Sequence, residues 1–490
     1  MARHVVVVGG GNAALCAAIS ARESGARVTL LERAPFELRG GNTRFTAGAM
    51  RAVYDGVGDL KRLMPDLTPA EIERTDFSSY SAGEFFDDLG RVTQYRCDPA
   101  LADRLVNDSF ATLRWMHAHG VRFLPLYGRQ SFNVDGRVRF WGGLTIEAWG
   151  GGPGLIDALT HGAVHLGVVL RYGVRAVSLT MQSGRVTGVI ARHHGHEERI
   201  DADAVILAAG GFEANPAWRA RYLGAGWDLA RVRGTRFNTG DGIRMAIDVG
   251  AAARGHWSGC HAVGWDANAP EFGDLAVGDG FQKHSYPFGI MVNSAGKRFV
   301  DEGADFRNFT YAKYGREILA QPGQIAWQIF DAKVSHLLRD EYRIRQVTRV
   351  TADSIEALAA KLDGIAAGVF CATVRSFNAA VDQSIAFDPT SKDGRGTQGL
   401  DLPKTNWANP IDTPPFEAYA VTCGITFTFG GLHVDAQARV MSEDGELIPG
   451  LYGAGELVGG LFYFNYPGGT GLTSGAVFGR TAGQHAARDV

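Results

Sequence analysis

An α/β fold that opens on a Rossmann-type βαβ unit is predicted by three features of the sequence. The run His4-Val5-Val6-Val7-Val8 passes without a gap into Gly9-Gly10-Gly11 and then into an alanine-rich stretch ending at Ser24. After Gly25 a second strand-like segment, Arg27 to Leu31, is followed by Glu32, 23 residues beyond Gly9. Far downstream come a third apolar run, Ala204 to Ala209, entering Gly210-Gly211-Phe212, and a glycine-rich region, Gly450 to Gly471, leading into an Ala/Gly helix to about Ala487. Short continuous apolar runs suit strands buried on both faces of a parallel sheet, and strand, turn and helix in alternation mark the α/β class.

The first turn carries chemistry as well as direction. Gly9 allows the tight turn, Gly11 lets the backbone approach a pyrophosphate, and Ala14 in the third small position permits close helix–strand packing. The helix beginning at Asn12 and Ala13 presents free N–H groups to phosphate. Glu32, with Arg33 beside it, is placed to take ribose hydroxyls, and an acid here argues against a ribose phosphate without separating NAD from FAD. The glycine-rich segments near both chain ends bear on that choice, because a cofactor touched by both ends is long.

Composition excludes several classes. With 49 Lys plus Arg against 52 Asp plus Glu, a net of -3, no basic field exists to hold nucleic acid or an anionic membrane surface. The chain has 490 residues, 65 of them glycine, about twice ordinary usage, yet it is 45% hydrophobic and lacks a Gly-X-Y period. Those glycines belong to tight loops in a globular protein long enough for at least two packing units. Cys16, Cys97, Cys260, Cys371 and Cys423 are scattered with no C-x-x-C pair, so neither a disulfide framework nor a cysteine-ligated cluster is expected. The apolar run at Val5 to Val8 is too short for a signal segment, and no later run reaches a membrane span. The expectation is a reduced, cytoplasmic enzyme without metal.

Six motifs in order carry a resemblance to the fumarate reductase and succinate dehydrogenase flavoprotein family, which also contains 3-ketosteroid Δ1-dehydrogenase and tricarballylate dehydrogenase. They are the Gly9 turn, Gly40-Gly41-Asn42-Thr43, Ala208-Ala209-Gly210-Gly211-Phe212, Thr239-Gly240-Asp241-Gly242, Ile290 to Asn293 leading into Gly296-Lys297-Arg298-Phe299-Val300-Asp301-Glu302, and Gly450 to Gly471. The wording at 9–18, 39–46, 307–315 and 465–475 is most similar to tricarballylate dehydrogenase. The resemblance implies a discontinuous FAD domain, 1–255 and 425–490, carrying an inserted α+β capping domain at 256–424. It implies FAD contacts at Asn42, Thr43, Ala209, Asp241, Gly455, Glu456, Gly471 and Leu472. Family members that bind FAD covalently use a histidine near Thr43. This chain has none between His4 and His117, so FAD is expected to be non-covalent.

The same resemblance implies a catalytic set. Arg307 stands where fumarate reductases have an active-site acid, and an arginine in that role needs a carboxylate such as Glu302 to relay the proton. His261 falls where they place a substrate-binding histidine, and His284 is a further polar candidate. Two of the family's groups are missing: no histidine occurs in Gly424 to Gly431, and Phe464 to Gly469 has no arginine. Tyr466-Pro467 instead resembles the ketosteroid dehydrogenase segment that holds a carbonyl-polarising tyrosine. The leading expectation is desaturation of a C–C bond next to a carboxylate or carbonyl of a small molecule, by hydride transfer to flavin. Its rivals are an ene or fumarate-type reductase, a ketone or natural-product dehydrogenase, and a flavoprotein subunit that passes electrons to an iron–sulfur partner or a small acceptor.

Overall fold

The computed structural model describes residues 2–489. The elements that position the site are β1 (His4–Val8), α1 (Asn12–Glu23), β2 (Arg27–Glu32), β3 (Val169–Tyr172), β4 (Ala204–Leu207), β5 (Ala253–Asp266), β6 (Ile290–Asn293), β7 (Ala326–Phe330), β8 (Phe416–Leu432), β9 (Arg439–Met441), β10 (Leu447–Gly453) and α2 (Thr470–Arg488). Six of the strands form one sheet in the order β9-β10-β4-β1-β2-β3. Its pairings are parallel except at the β9–β10 edge.

Central position explains the valine run. Val6 pairs with Thr29 on one side and Val205 on the other, and Val5, Val6 and Val7 have no exposure. A strand covered on both faces tolerates β-branched residues at every position. The chain leaves this sheet and returns to it, since β10 beside β4 comes from the far end of the sequence.

The two chain ends are locked by α1 against α2. Gly475, Gly479 and Gly483 recur every four residues, so they share one face of α2. A side chain at Gly479 would collide with the Ala13 carbonyl, and one at Gly483 with the Ala17 carbonyl. The stripe is small because two helix backbones touch there.

A second sheet is built around the long strand β8, which pairs antiparallel with β5 from Ala253↔Leu432 to Asp266↔Val421 and with β7, while β7 pairs with β6. Residues 256 and 424, the expected ends of the capping unit, lie inside β5 and β8. The β5–β8 register slips between His256 and Cys260 and again after His261, which sits opposite Phe427. Such irregularities re-aim side chains.

Helical periodicity runs through residues 351–380 of the sequence, but the fold interrupts it. Arg349–Ala352 is a strand on β8, and the helical residues are Ile355–Ala359 and Ala367–Ala380. The 388–415 stretch, rich in Pro, Asp, Gly and Asn, is irregular, but Lys404, Trp407 and Ala408 within it are buried. No helix among the described residues is long and apolar enough to cross a membrane.

Candidate functional site

One continuous cavity runs from the Gly9 turn to the second sheet. Its walls include Gly9, Gly11, Asn12, Ala13, Glu32, Arg33, Gly41, Asn42, Thr43, Ala209, Gly210, Asp241, Gly455, Glu456, Gly471 and Leu472, together with His261, Arg307 and Tyr466. The fold therefore brings together most of the residues selected from sequence. Four stand outside the walls: Ala14, Gly40, Gly211 and Glu302. Ala14 is buried in the helix. Gly40 caps the Gly41–Phe45 turn, with Gly40 at φ 98°. Gly211 leaves room for the Glu456 carboxyl rather than for a ligand.

The first half of the cavity has the form of a dinucleotide cradle. Gly9 has φ 121°, and a side chain there would strike the Ala208 carbonyl on β4, so glycine is required on both counts. The N-terminus of α1 has no side-chain cap and no acidic residue in its first turn, and the same is true of α2. Two helices, of 12 and 19 residues, thus start at the cavity, where first-turn N–H groups have no partner within the helix. The Asn12 side chain donates to the Leu472 carbonyl at 2.7 Å, and the Asn12 N–H donates to Thr43 Oγ1 at 3.2 Å, which ties three sequence-distant wall segments together.

Glu32 is 6% exposed and accepts from the Ala34 N–H at 2.7 Å; burial pushes its carboxyl up to about 7. Glu32 also faces the cavity, where ribose hydroxyls can add further donors to its carboxyl group. Arg33 and Arg175 clasp Asp241 at 3.1 and 2.7 Å, placing Asp241 among positive charge. The residues present fit FAD.

The second half of the cavity is built for an anion. Asp279 orients two guanidinium groups, accepting from Arg233 at 2.5 Å and from Arg129 at 2.9 Å, and from the Gln282 amide at 2.8 Å. Arg233 also donates to Thr426 Oγ1 at 3.1 Å. Arg307 donates to the Arg129 carbonyl, but its buried Nε has no partner and, among the described residues, no carboxylate pairs with it. Burial lowers its pKa from the usual arginine value. An ionised group so placed is costly unless an opposite charge joins it.

Two histidines and two tyrosines complete this end. His261 is 1% exposed, both ring nitrogens are buried without partners, and burial holds its pKa well below the ordinary value, with Arg233 adding to the effect. His284 Nε2 is likewise unpaired, and burial together with Arg307, Arg233 and Arg129 keeps the ring neutral. A neutral imidazole has one N–H donor and one lone pair. Tyr466 and Tyr311 are hydrogen-bonded through their hydroxyls, and His261 packs 4.8 Å from the Tyr466 ring and 4.9 Å from that of Tyr311. Burial raises the Tyr466 hydroxyl well above its ordinary pKa, with Tyr311 reinforcing the shift. It stays protonated, and either hydroxyl of the pair can be the donor between them.

The structure does not bring Glu302 to Arg307. Glu302 has no exposure, pairs with Arg298 at 2.6 Å and accepts from the Met291 N–H at 2.8 Å. Both oxygens are engaged in holding the 290–302 hairpin. Sequence reasoning passed over Arg129, Arg233, Asp279, Gln282 and Tyr311. Only Tyr311 had a usable signal, four residues beyond Arg307; Arg129 and Asp279 are 150 residues apart and meet only in the fold.

Comparison with known proteins agrees with this geometry. The family described as FAD binding domain matches residues 4–472. The chain is 32% identical over 492 residues to a fumarate reductase (cytochrome) of Shewanella frigidimarina, covering 99% of this chain and 77% of that protein. It is 30% identical over 367 residues to a 3-oxosteroid 1-dehydrogenase of Mycobacterium tuberculosis, covering 69% and 63%. Its fold superposes on the open conformation of a flavocytochrome c3 fumarate reductase with a TM-score of 0.73 at 27% identity, covering 99% of this chain and 78% of that one.

Proposed function

Because this chain belongs to the FAD-binding flavoprotein family of the fumarate reductases and 3-oxosteroid dehydrogenases, and is thus an FAD-dependent oxidoreductase acting on carbon–carbon bonds, we propose that it desaturates a small molecule at the bond next to a carboxylate, in the manner of tricarballylate dehydrogenase. The observation that carries this reading is Arg307, a cation in the cavity wall with no carboxylate partner among the described residues and with unpaired imidazole nitrogens of His261 and His284 nearby. A substrate carboxylate supplies the missing charge.

FAD supplies the hydride acceptor. In this reading residues 256–424 form the unit that covers the substrate, on an FAD-binding part made by 1–255 and 425–490. Arg307 holds the carboxylate and stabilises the enolate-like charge that grows as the α-proton passes to the free lone pair of the neutral His284 imidazole. His261, kept neutral, donates one hydrogen bond to a carboxylate oxygen without adding charge. Asp279 keeps Arg233 and Arg129 in fixed positions at the cavity wall, which lowers the cost of organising the site on binding. Electrons leave to a small acceptor or a protein partner.

A ketone-desaturating reading is favoured by one observation, the Tyr311–Tyr466 hydroxyl pair beside the same space, which can donate to a carbonyl oxygen. Anaerobic mixing decides between them. Tricarballylate is expected to bleach the flavin and a cyclic 3-ketone to leave it oxidised; bleaching by the ketone alone would reverse the assignment.

A further inference from the structure

Two glutamates meet in the wall of the FAD cavity, and the proposed reaction uses neither. Glu456 lines the cavity, and Glu213 lies behind it with no exposure. Glu213 Oε1 accepts from Asn42 Nδ2 at 2.6 Å and from Asn238 Nδ2 at 2.7 Å, while its Oε2 is buried with no donor. Glu456 Oε1 accepts from the Thr428 N–H at 2.9 Å, and Glu456 Oε2 lies 3.4 Å from the same Asn238 nitrogen. One amide nitrogen therefore spans both carboxyl groups. The space they occupy exists because residue 211 is glycine, since a side chain there would collide with Glu456 Oε1 and Thr428 Oγ1.

Two ionised carboxylates cannot share a dry contact, because each loses its hydration and repels the other. The charged group facing them is Arg219, from the Arg219–Leu223 turn; it donates to the Glu213 backbone carbonyl and to those of Trp227, Asp228 and Ala230. The remaining neighbours, Asn42, Asn238 and Thr428, are neutral. Arg219 gives its donors to these backbone carbonyls and pairs with neither carboxyl group, so at most one of the two carries charge. The other carboxyl must be an acid, and its proton satisfies the orphaned oxygen as O–H···O. Burial first, and then the mutual repulsion of the pair, holds both groups above the usual carboxylate range.

We propose that Glu213 and Glu456 hold a single shared proton across neutral pH, and that this protonated pair latches the Asn42 and Thr428 sides of the cavity in their FAD-binding arrangement. Glu213 is thus a positioning residue that acts through Glu456 and Asn42. Asn42 joins the latch to the rest of the wall, since it also donates to the Thr426 carbonyl at 2.6 Å and accepts from the Thr235 N–H at 2.9 Å. Loss of the shared proton leaves two anions in contact, which drives the carboxyl groups apart and releases Asn42. The stabilisation is fully present below the ordinary carboxyl range and is lost as pH rises through the pair's own raised pKa, the sign required of a group whose pKa is raised in the folded state.

The inference rests on the cavity being the FAD site, and the test keeps the two apart. Apoprotein is titrated with FAD by fluorescence quenching from mildly acidic to alkaline pH. The wild-type Kd is expected to be flat near neutrality and then to rise about tenfold per pH unit, as loss of one linked proton requires. Glu213→Gln keeps an acceptor for Asn42 and Asn238 and places a permanent N–H donor toward Glu456, so its Kd should stay flat over the same range. Glu213→Ala should bind FAD weakly at every pH. Infrared spectra of the wild type should show a protonated carboxylic-acid carbonyl band that fades along the same pH curve. A wild-type Kd with no alkaline limb, or the same limb in Glu213→Gln, overturns the shared proton. Failure of wild-type apoprotein to bind FAD at any pH overturns the reading of the cavity itself.

Discussion

In the proposed reaction Arg307 and Tyr466 divide the chemistry between charge and hydrogen bonding, and single substitutions separate them. Arg307→Ala should leave FAD bound, because the arginine stands at the anion end of the cavity, and should abolish turnover. A charge-assisted contact is worth about 1.5 to 3 kcal/mol in binding alone. Loss of activity that high substrate concentration restores would place Arg307 in substrate capture and not in transition-state stabilisation. Tyr466→Phe keeps the ring packed against His261, Phe427 and Phe462 and removes only the hydroxyl paired with Tyr311. If that hydroxyl polarises a carbonyl, single-turnover flavin reduction should fall about 10²- to 10³-fold. With a carboxylate substrate held by Arg307, the Phe variant should reduce flavin at near-wild-type rate while Tyr466→Ala is damaging through lost packing. Arg307 and Tyr466 were legible as candidates because they sit in motifs. Asp279 was not, since an aspartate that orients two arginines from distant segments leaves no local pattern.

The α1–α2 contact is the element on which the cradle depends, because it fixes two helix N-termini side by side. Gly479→Ala introduces a methyl into the Ala13 carbonyl, and backbone cannot yield as a flexible side chain does. Overpacking of this kind costs about 1 to 3 kcal/mol. Thermal unfolding should show a lowered Tm, and FAD affinity should fall with it; an unchanged melting curve would mean that the helices can separate freely. The Ala/Gly-rich helix was readable in the sequence, but not the partner that its small residues face. Periodicity reports a face and leaves open what covers it. The interrupted helix between 351 and 380 shows the same limit: apolar periodicity persisted while β8 recruited Arg349–Ala352 as an extra strand.

At the scale of the whole molecule, the cavity proposed for FAD is walled by segments from both chain ends, the starts of α1 and α2 among them, and no histidine stands near Thr43 to attach a flavin. Acid or heat should therefore release all of the flavin as FAD; flavin remaining on the denatured polypeptide would contradict this. The sequence by itself determined the α/β class, the Gly9 turn and its dinucleotide, and the return of the C-terminal segment to the same cofactor. Those features are local: strand burial, turn geometry and helix start are written within a few dozen residues. Only the tertiary structure decided that Glu302 is engaged with Arg298 and held away from Arg307, that Arg129, Arg233 and Asp279 form one cluster, and that Glu213 meets Glu456 across 243 positions of chain. Charge pairing acts through space and not along the chain, so which carboxylate neutralises which cation, and which cation is left for a substrate, depends on how the separate segments carrying Arg129, Arg233, Asp279 and Arg307 meet at the cavity.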